Sequence, residues 1–321
     1  MTTISTTSGA GALPAQRMAG LACGMGAGAL WGLVFLAPQL VRDFGPLHLT
    51  VGRYLCYGLI ALALVGLGWR SLLARVSRAQ WLSLMGLALT GNTLYYVLLA
   101  TAVQKGGIAM TSLVIGFLPI AVTVIGSRDH GAVPLTRLAP SLVLCGAGAV
   151  CIGWQAIATP ATGSVGRQLL GLACAVGALA SWTTYAVGNA RALHKLGRVT
   201  PHEWNLLTGI VTGVQSLALL PLVLLSGAGE HSLSAWAWLG SVSLGLAVLA
   251  SIWGNGLWNR MSRLLPLTLV GQMILFETLF AMLYGFLWEQ RLPTGLEAAA
   301  LLLVVASVLS CLGAHRTAAT H

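Results

Sequence analysis

Charge is scarce in this sequence, and negative charge is scarcest. The 321 residues hold 7 Asp and Glu against 17 Lys and Arg, and only 7% of positions are charged, where a soluble domain keeps about a quarter. With 57% of residues hydrophobic and 40 of them glycine, the composition belongs in a bilayer. Catalytic and nucleotide-binding signatures are missing too. There is no His-Glu-x-x-His, no Gly-x-Ser-x-Gly and no P-loop, and the seven histidines fall at loops, span ends or the tail. These absences argue against an intramembrane enzyme and against ATP-driven pumping by this chain. No filter sequence or ring of charges supports a channel. No basic residue precedes Arg17, so the start "MTTISTTSGAGALPAQR" reads as a disordered tail over residues 1–18, not a cleavable signal peptide. The six cysteines lie in apolar spans without metal-type spacing and read as small, reduced hydrophobes. No metal or other cofactor is expected.

What the chain does have is a series of apolar runs, each long enough at 1.5 Å per residue to cross a hydrocarbon core of about 30 Å. Ten are counted, near 19–40, 47–68, 80–102, 107–127, 134–155, 168–190, 204–226, 234–257, 266–288 and 294–313. The net charge of +10 does not point to nucleic acid, because the basic residues are scattered over short loops. It reports topology. Of the 17 Lys and Arg, twelve fall on the side of the N-terminus and four (Arg42, Lys105, Arg167, Arg291) on the other, with Arg53 inside a span. That positive-inside bias predicts an all-α membrane protein of ten transmembrane helices with both termini cytoplasmic.

The ten spans divide into two sets of five. "SRDHGAVP" (127–134) and "FLWEQRLP" (286–293) follow corresponding apolar runs, while "AGALW" (27–31) and "GALASW" (177–182) place Trp31 and Trp182 at the same point of the first span of each half. Five being odd, the second half enters the membrane in the opposite sense, giving an inverted repeat suited to alternating access. The expected organisation is a tail over 1–18, a first five-helix repeat over 19–157, the linker "ATPATGSVGR" (158–167), a second repeat over 168–314 and a tail over 315–321.

The succession "ALWGLVF…GPLHLTVGRYL", "YYVLLATAVQKGGIAMTSLVIGFLPIAVTVI" and "GQMILFETLFAMLYGFLWEQRL" resembles the EamA-like branch of the drug/metabolite transporter superfamily across nearly all the chain. The resemblance implies a secondary transporter for amino acids, other metabolites or toxic compounds, most of whose members export and some of which import. It also implies a Gly-Glu-Arg-like signature after the fourth span of each half. The second half has "WEQR" with Glu289 there, but the first has "SRDH" with Asp129 and His130.

Glu277 is the leading candidate for a working residue. It lies eleven residues, or roughly 16 Å of helix, from either end of its span, too far for a glutamate to reach an interface. A carboxylate there costs at least about 2.5–3.5 kcal/mol unless neutral, paired or hydrated, so it should face a polar cavity. A carboxyl so placed can accept and release a proton, bind a substrate amine, or simply bond to a neighbouring helix. Carried back 159 residues, Glu277 falls on Leu118, so the acid belongs to one half only. Arg53 could neutralise a substrate carboxylate, pair with Glu277 or snorkel to the interface. Asn92 and Tyr96 in span three, and Asn255 and Trp258 in span eight, lie on shared helix faces and could line a cavity or bond helix to helix, as could Asn259. Trp31 and Trp182 sit mid-span, away from the interfacial belt, and read as cavity wall, gate or core packing. Trp69, Trp81, Trp204, Trp236 and Trp288 read as interface anchors. Gly20, Gly24, Gly28 and Gly32 recur every four residues, drawing a stripe that a neighbouring helix can approach closely. Pro119 and Pro221 are expected to kink their spans.

These readings converge on a secondary transporter exporting a small organic metabolite, an amino acid or related compound, across a bacterial inner membrane. Its partners would be the solute, the lipid bilayer and, as a candidate coupling ion, protons. An organic-cation exporter, or an importer of the same fold, is the alternative.

Overall fold

Hydrocarbon offers backbone groups no hydrogen-bond partner, and the chain meets that constraint with helices. The computed structural model describes residues 9–41, 43–129, 132–157, 165–225 and 231–318, and no strand occurs among them. In order, the helices are α1 (Gly9–Leu40), α2 (Pro46–Val65), α3 (Trp69–Arg75), α4 (Arg78–Ala88), α5 (Leu94–Ile115), α6 (Leu118–Gly126), α7 (Leu135–Ile157), α8 (Val165–Leu193), α9 (Pro201–Leu225), α10 (Leu233–Leu246), α11 (Asn255–Leu264), α12 (Leu267–Glu289) and α13 (Gly295–Ala318). Two π-helical segments, Leu89–Thr93 and Ala247–Gly254, join α4 to α5 and α10 to α11. Among the described residues, eight helical stretches are long and apolar enough to cross a membrane. The expected fourth and fifth crossings correspond to the end of α5 with α6, and to α7.

Three boundaries differ from the sequence reading. α1 begins at Gly9, so residues 9–18 are helix and not tail; alanines 10, 12 and 15 favour its extension. α13 runs to Ala318 and buries His315, which was assigned to the C-terminal tail. α5 continues through 103–106, where a loop was expected, because no proline interrupts the hydrogen-bond ladder before Pro119. Pro119 then occupies the first turn of α6, after a break at Gly116–Phe117, which is the expected kink. Residues 1–8, His130 and most of the expected linker (158–164) lie outside the described residues.

The most extensive helix contacts all join the first half of the chain to the second: α1 to α12, α2 to α9, α5 to α8, α6 to α12 and α7 to α13. Neither half closes its own core. The glycine stripe explains how one of these seams comes so close. A Cβ on Gly28 would stand 2.6 Å from the Phe276 Cβ and 2.9 Å from the backbone N of Glu277, so α1 lies almost against the α12 backbone. At Gly24 the nearest atoms are instead the side-chain ends of Met261 and Met273, which can move.

That difference sets an expected order. Gly28→Leu should prevent assembly, and Gly28→Ala should lower the thermal midpoint of the detergent-purified protein more than Gly24→Ala, on the scale of about 1–3 kcal/mol for overpacking. Ala22→Leu, on an exposed face, should be tolerated. Equal midpoints for Gly28→Ala and Gly24→Ala would remove the backbone-contact explanation.

Candidate functional site

The second π-helical segment organises the interior. A π-turn bonds i to i+5 and disturbs the normal ladder, so some carbonyls need partners from outside the helix. Here side chains supply them. Trp31 Nε1 on α1 donates to the Ala250 carbonyl (3.0 Å), and Asn205 Nδ2 on α9 donates to the carbonyl of Ile252 (2.9 Å). Asn205 in turn accepts from the Tyr57 hydroxyl, 2.6 Å from Oδ1. Arg53 Nε donates to Ser251 Oγ within the same segment (3.1 Å). Gly254 leaves room for this arrangement, since a Cβ there would fall 2.8 Å from Trp31 Nε1. The first π-helical segment is served in a similar way, with Ser181 Oγ on α8 donating to the Thr90 carbonyl (2.7 Å).

Arg53 therefore points into the bundle and does not snorkel. It is 6% exposed, and its guanidinium lies 5.1 Å from the ring centre of Tyr54 and 5.4 Å from that of Tyr96. Cation–π contact of this kind can offset part of the cost of burying the charge. Glu277 sits at the middle of α12 and is partly accessible. Arg53 and Tyr95 are the groups whose electrostatic influence it shares, yet Glu277 forms no ion pair with Arg53 among the described residues. A guanidinium and a carboxyl group thus share the bundle interior without closing on one another.

Tryptophan lines the same region. Trp31, Trp182 and Trp258, from α1, α8 and α11, form one cluster with ring centres 4.9 Å (Trp31 to Trp258), 5.5 Å (Trp182 to Trp258) and 6.0 Å (Trp31 to Trp182) apart. Tyr95 and Tyr185 extend it from Trp182 at 6.3 and 5.9 Å. Trp258 Nε1 is buried without a hydrogen-bond partner. Such orphaned donors are few in native structures and cost free energy, so each calls for an explanation.

The amides divide. Asn255 is buried beside Tyr57, next to this cluster. Asn92 is engaged elsewhere, donating to Thr212 Oγ1 (3.2 Å) across the α9 interface. Asn259 also serves helix packing: it accepts from Asn189 Nδ2 (2.8 Å), whose Oδ1 accepts from Trp204 Nε1 (2.9 Å). Trp204, 1% exposed, is accordingly a buried member of a polar network and not an interface anchor. Of the signature positions, Asp129 pairs with Arg191, whereas the side chain of Glu289 and all of His130 lie outside the described residues.

Tyr54, Tyr57, Asn205 and Ser251 were missed as site residues. A signal for two of them was available, since "GRYLCYG" (52–58) carries two tyrosines three residues apart in mid-span, away from the interfacial belt. The π-helical segments left a trace as well, the Gly-Asn dipeptide at 91–92 and again at 254–255.

Comparison with known proteins agrees with this architecture. Residues 18–154 match the model of the EamA-like transporter family. Inner membrane protein YtfF of Escherichia coli (strain K12) is 32% identical over 309 residues, an alignment covering 88% of this chain and 91% of that protein. A solved crystal structure at 19% identity aligns with 92% of this chain and 98% of its own, with a TM-score of 0.69, and so has the same fold. The chain therefore belongs to the EamA-like transporter family, in the drug/metabolite transporter superfamily, as a multi-pass membrane transporter and not an enzyme.

Proposed function

We propose that the protein exports a small zwitterionic metabolite, an amino acid or close relative, by alternating access, with Glu277 also serving as the proton site. The observation that carries this reading is the unpaired coexistence of Arg53 and Glu277 in one aromatic-lined interior. A guanidinium suits a substrate carboxylate, a glutamate suits its ammonium, and the Trp31, Trp182 and Trp258 cluster suits an apolar side chain. The free N–H of Trp258 is a further donor for the solute. A permanent organic cation is the weaker reading, because Arg53 would repel it. Asn255 and Tyr96 complete the proposed wall; Asn92 has a packing role.

In this proposal the chain crosses the membrane ten times as two inverted five-helix repeats, over 19–157 and 168–314, with both termini cytoplasmic. Supporting features are the charge bias of the loops, the pairing of each half with the other, and a π-helical segment at the same place in each half. The membrane is a bacterial inner membrane, the location named for the Escherichia coli relative. Orientation is checked by cysteine labelling in whole cells. A cysteine at 164 should react with an impermeant reagent from outside and one at the exposed position 195 only from inside, and the reverse pattern would overturn the orientation.

Coupling follows if Glu277 holds a proton in one state and the substrate's ammonium in another. Glu277→Gln keeps the side chain's shape but fixes it neutral. It should abolish the dependence of substrate flux on an imposed pH gradient in proteoliposomes, while Glu277→Asp should retain part of it. Unchanged gradient-driven flux in Glu277→Gln, at matched protein level, would reduce Glu277 to a structural residue.

A further inference from the structure

A cavity lined by none of the residues proposed for the central site lies where α12 starts, beside the Thr268–His315 contact between α12 and α13. It has a volume of about 210 Å³ and sits between the halves, with Gly126, Asp129 and Ala132 on one side and Arg191, Ser262 and Thr268 among the residues on the other. Arg191 Nη2 and Asp129 Oδ1 meet across it at 2.6 Å. Both side chains are partly exposed, and an ion pair in that setting contributes little to stability, so a ligand can part it at small cost.

Two further features face the cavity. α12 starts there after Pro266, and no side chain caps its first turn, in which the N–H of Leu269 already donates to the Pro266 carbonyl. A helix N-terminus of this length favours a carboxylate. Independently, Ser262 Oγ is buried without a partner, in a residue only 1% exposed. Ser262 lies one turn beyond Trp258 on α11, so the cavity floor adjoins the tryptophan cluster.

We infer that this cavity is a vestibular binding site for the headgroup of a small zwitterion, the carboxylate on Arg191, Ser262 and the start of α12, and the ammonium on Asp129. A molecule bearing both charges replaces the Arg191–Asp129 pair with two new ones and opens the seam between the halves. An anion alone would leave Asp129 without a partner, and a cation alone would do the same to Arg191. The inference rests on the zwitterion reading above, but it uses none of the residues proposed for the central site.

The test places a reporter cysteine at Ala132, which lines the cavity without a polar role, and follows its alkylation by peptide mass spectrometry in inside-out vesicles. The probes are glycine, acetate and methylammonium at equal concentration and ionic strength. A ligand at ten times its Kd leaves about one site in eleven free, so saturating glycine should slow alkylation about tenfold while acetate and methylammonium do not. Protection should be lost in Asp129→Asn and weakened in Ser262→Ala. It should persist in Glu277→Gln, which separates this site from the central one. Equal protection by acetate would mean an anion site, equal protection by methylammonium a cation site, and either result, or glycine protection that survives Asp129→Asn, would overturn the inference. Absence of glycine protection in the Ala132→Cys protein would overturn it as well. Loss of protection in Glu277→Gln would assign the effect to the central site and overturn it too.

Discussion

A guanidinium and a carboxyl group facing the same interior could close into an ion pair, and here they do not. Arg53 is instead fastened to Ser251 and laid against the rings of Tyr54 and Tyr96, while Glu277 stays on α12, fixed by the near-contact of its backbone with Gly28. Burying a charge costs several kcal/mol, and a bundle that holds a guanidinium and a carboxyl group apart gains from a ligand that can satisfy both.

The π-helical segment 247–254 is the mechanical means. Its irregular ladder frees carbonyls that draw in Trp31 and Asn205, and Ser251 fixes Arg53. Side chains from α1, α2 and α9 therefore converge on one short stretch joining α10 to α11. Because α1 and α2 belong to one half and α9 to α11 to the other, the hub is shared by the halves. A local change in this segment would be felt by both, which suits the alternating access proposed above.

Hydropathy alone made most of the helices legible, since a run of apolar residues has one stable conformation in lipid. The glycine stripe was legible for a similar reason: a four-residue spacing without side chains has a direct geometric consequence, and Gly28 realises it against Phe276. Partner choice was less accessible. Asn92, Asn255 and Asn259 look alike in sequence, but Thr212 accepts from the first and Asn189 donates to the last, and nothing in the local sequence names those partners. Arg53 was ambiguous because its long stem could reach either the interface or the interior, and Ser251, 198 residues away, decides it. Trp204 misled for the same reason, as proximity to a span end does not reveal the buried Asn189 awaiting its N–H. The end of α5 was missed because glycines at 106 and 107 weaken a helix without removing a hydrogen bond, whereas Pro119 removes one.

The central claim is that Arg53 and Glu277 act as two halves of one receptor for a zwitterion. Thermal stabilisation of the purified protein by a panel of free amino acids and their amides tests it most directly, in wild type and in Arg53→Gln. The account predicts that an amino acid raises the wild-type midpoint more than its amide does, and that this preference for the free carboxylate disappears in Arg53→Gln. Equal stabilisation by the free amino acid in both proteins, or stabilisation confined to permanent cations, would contradict it.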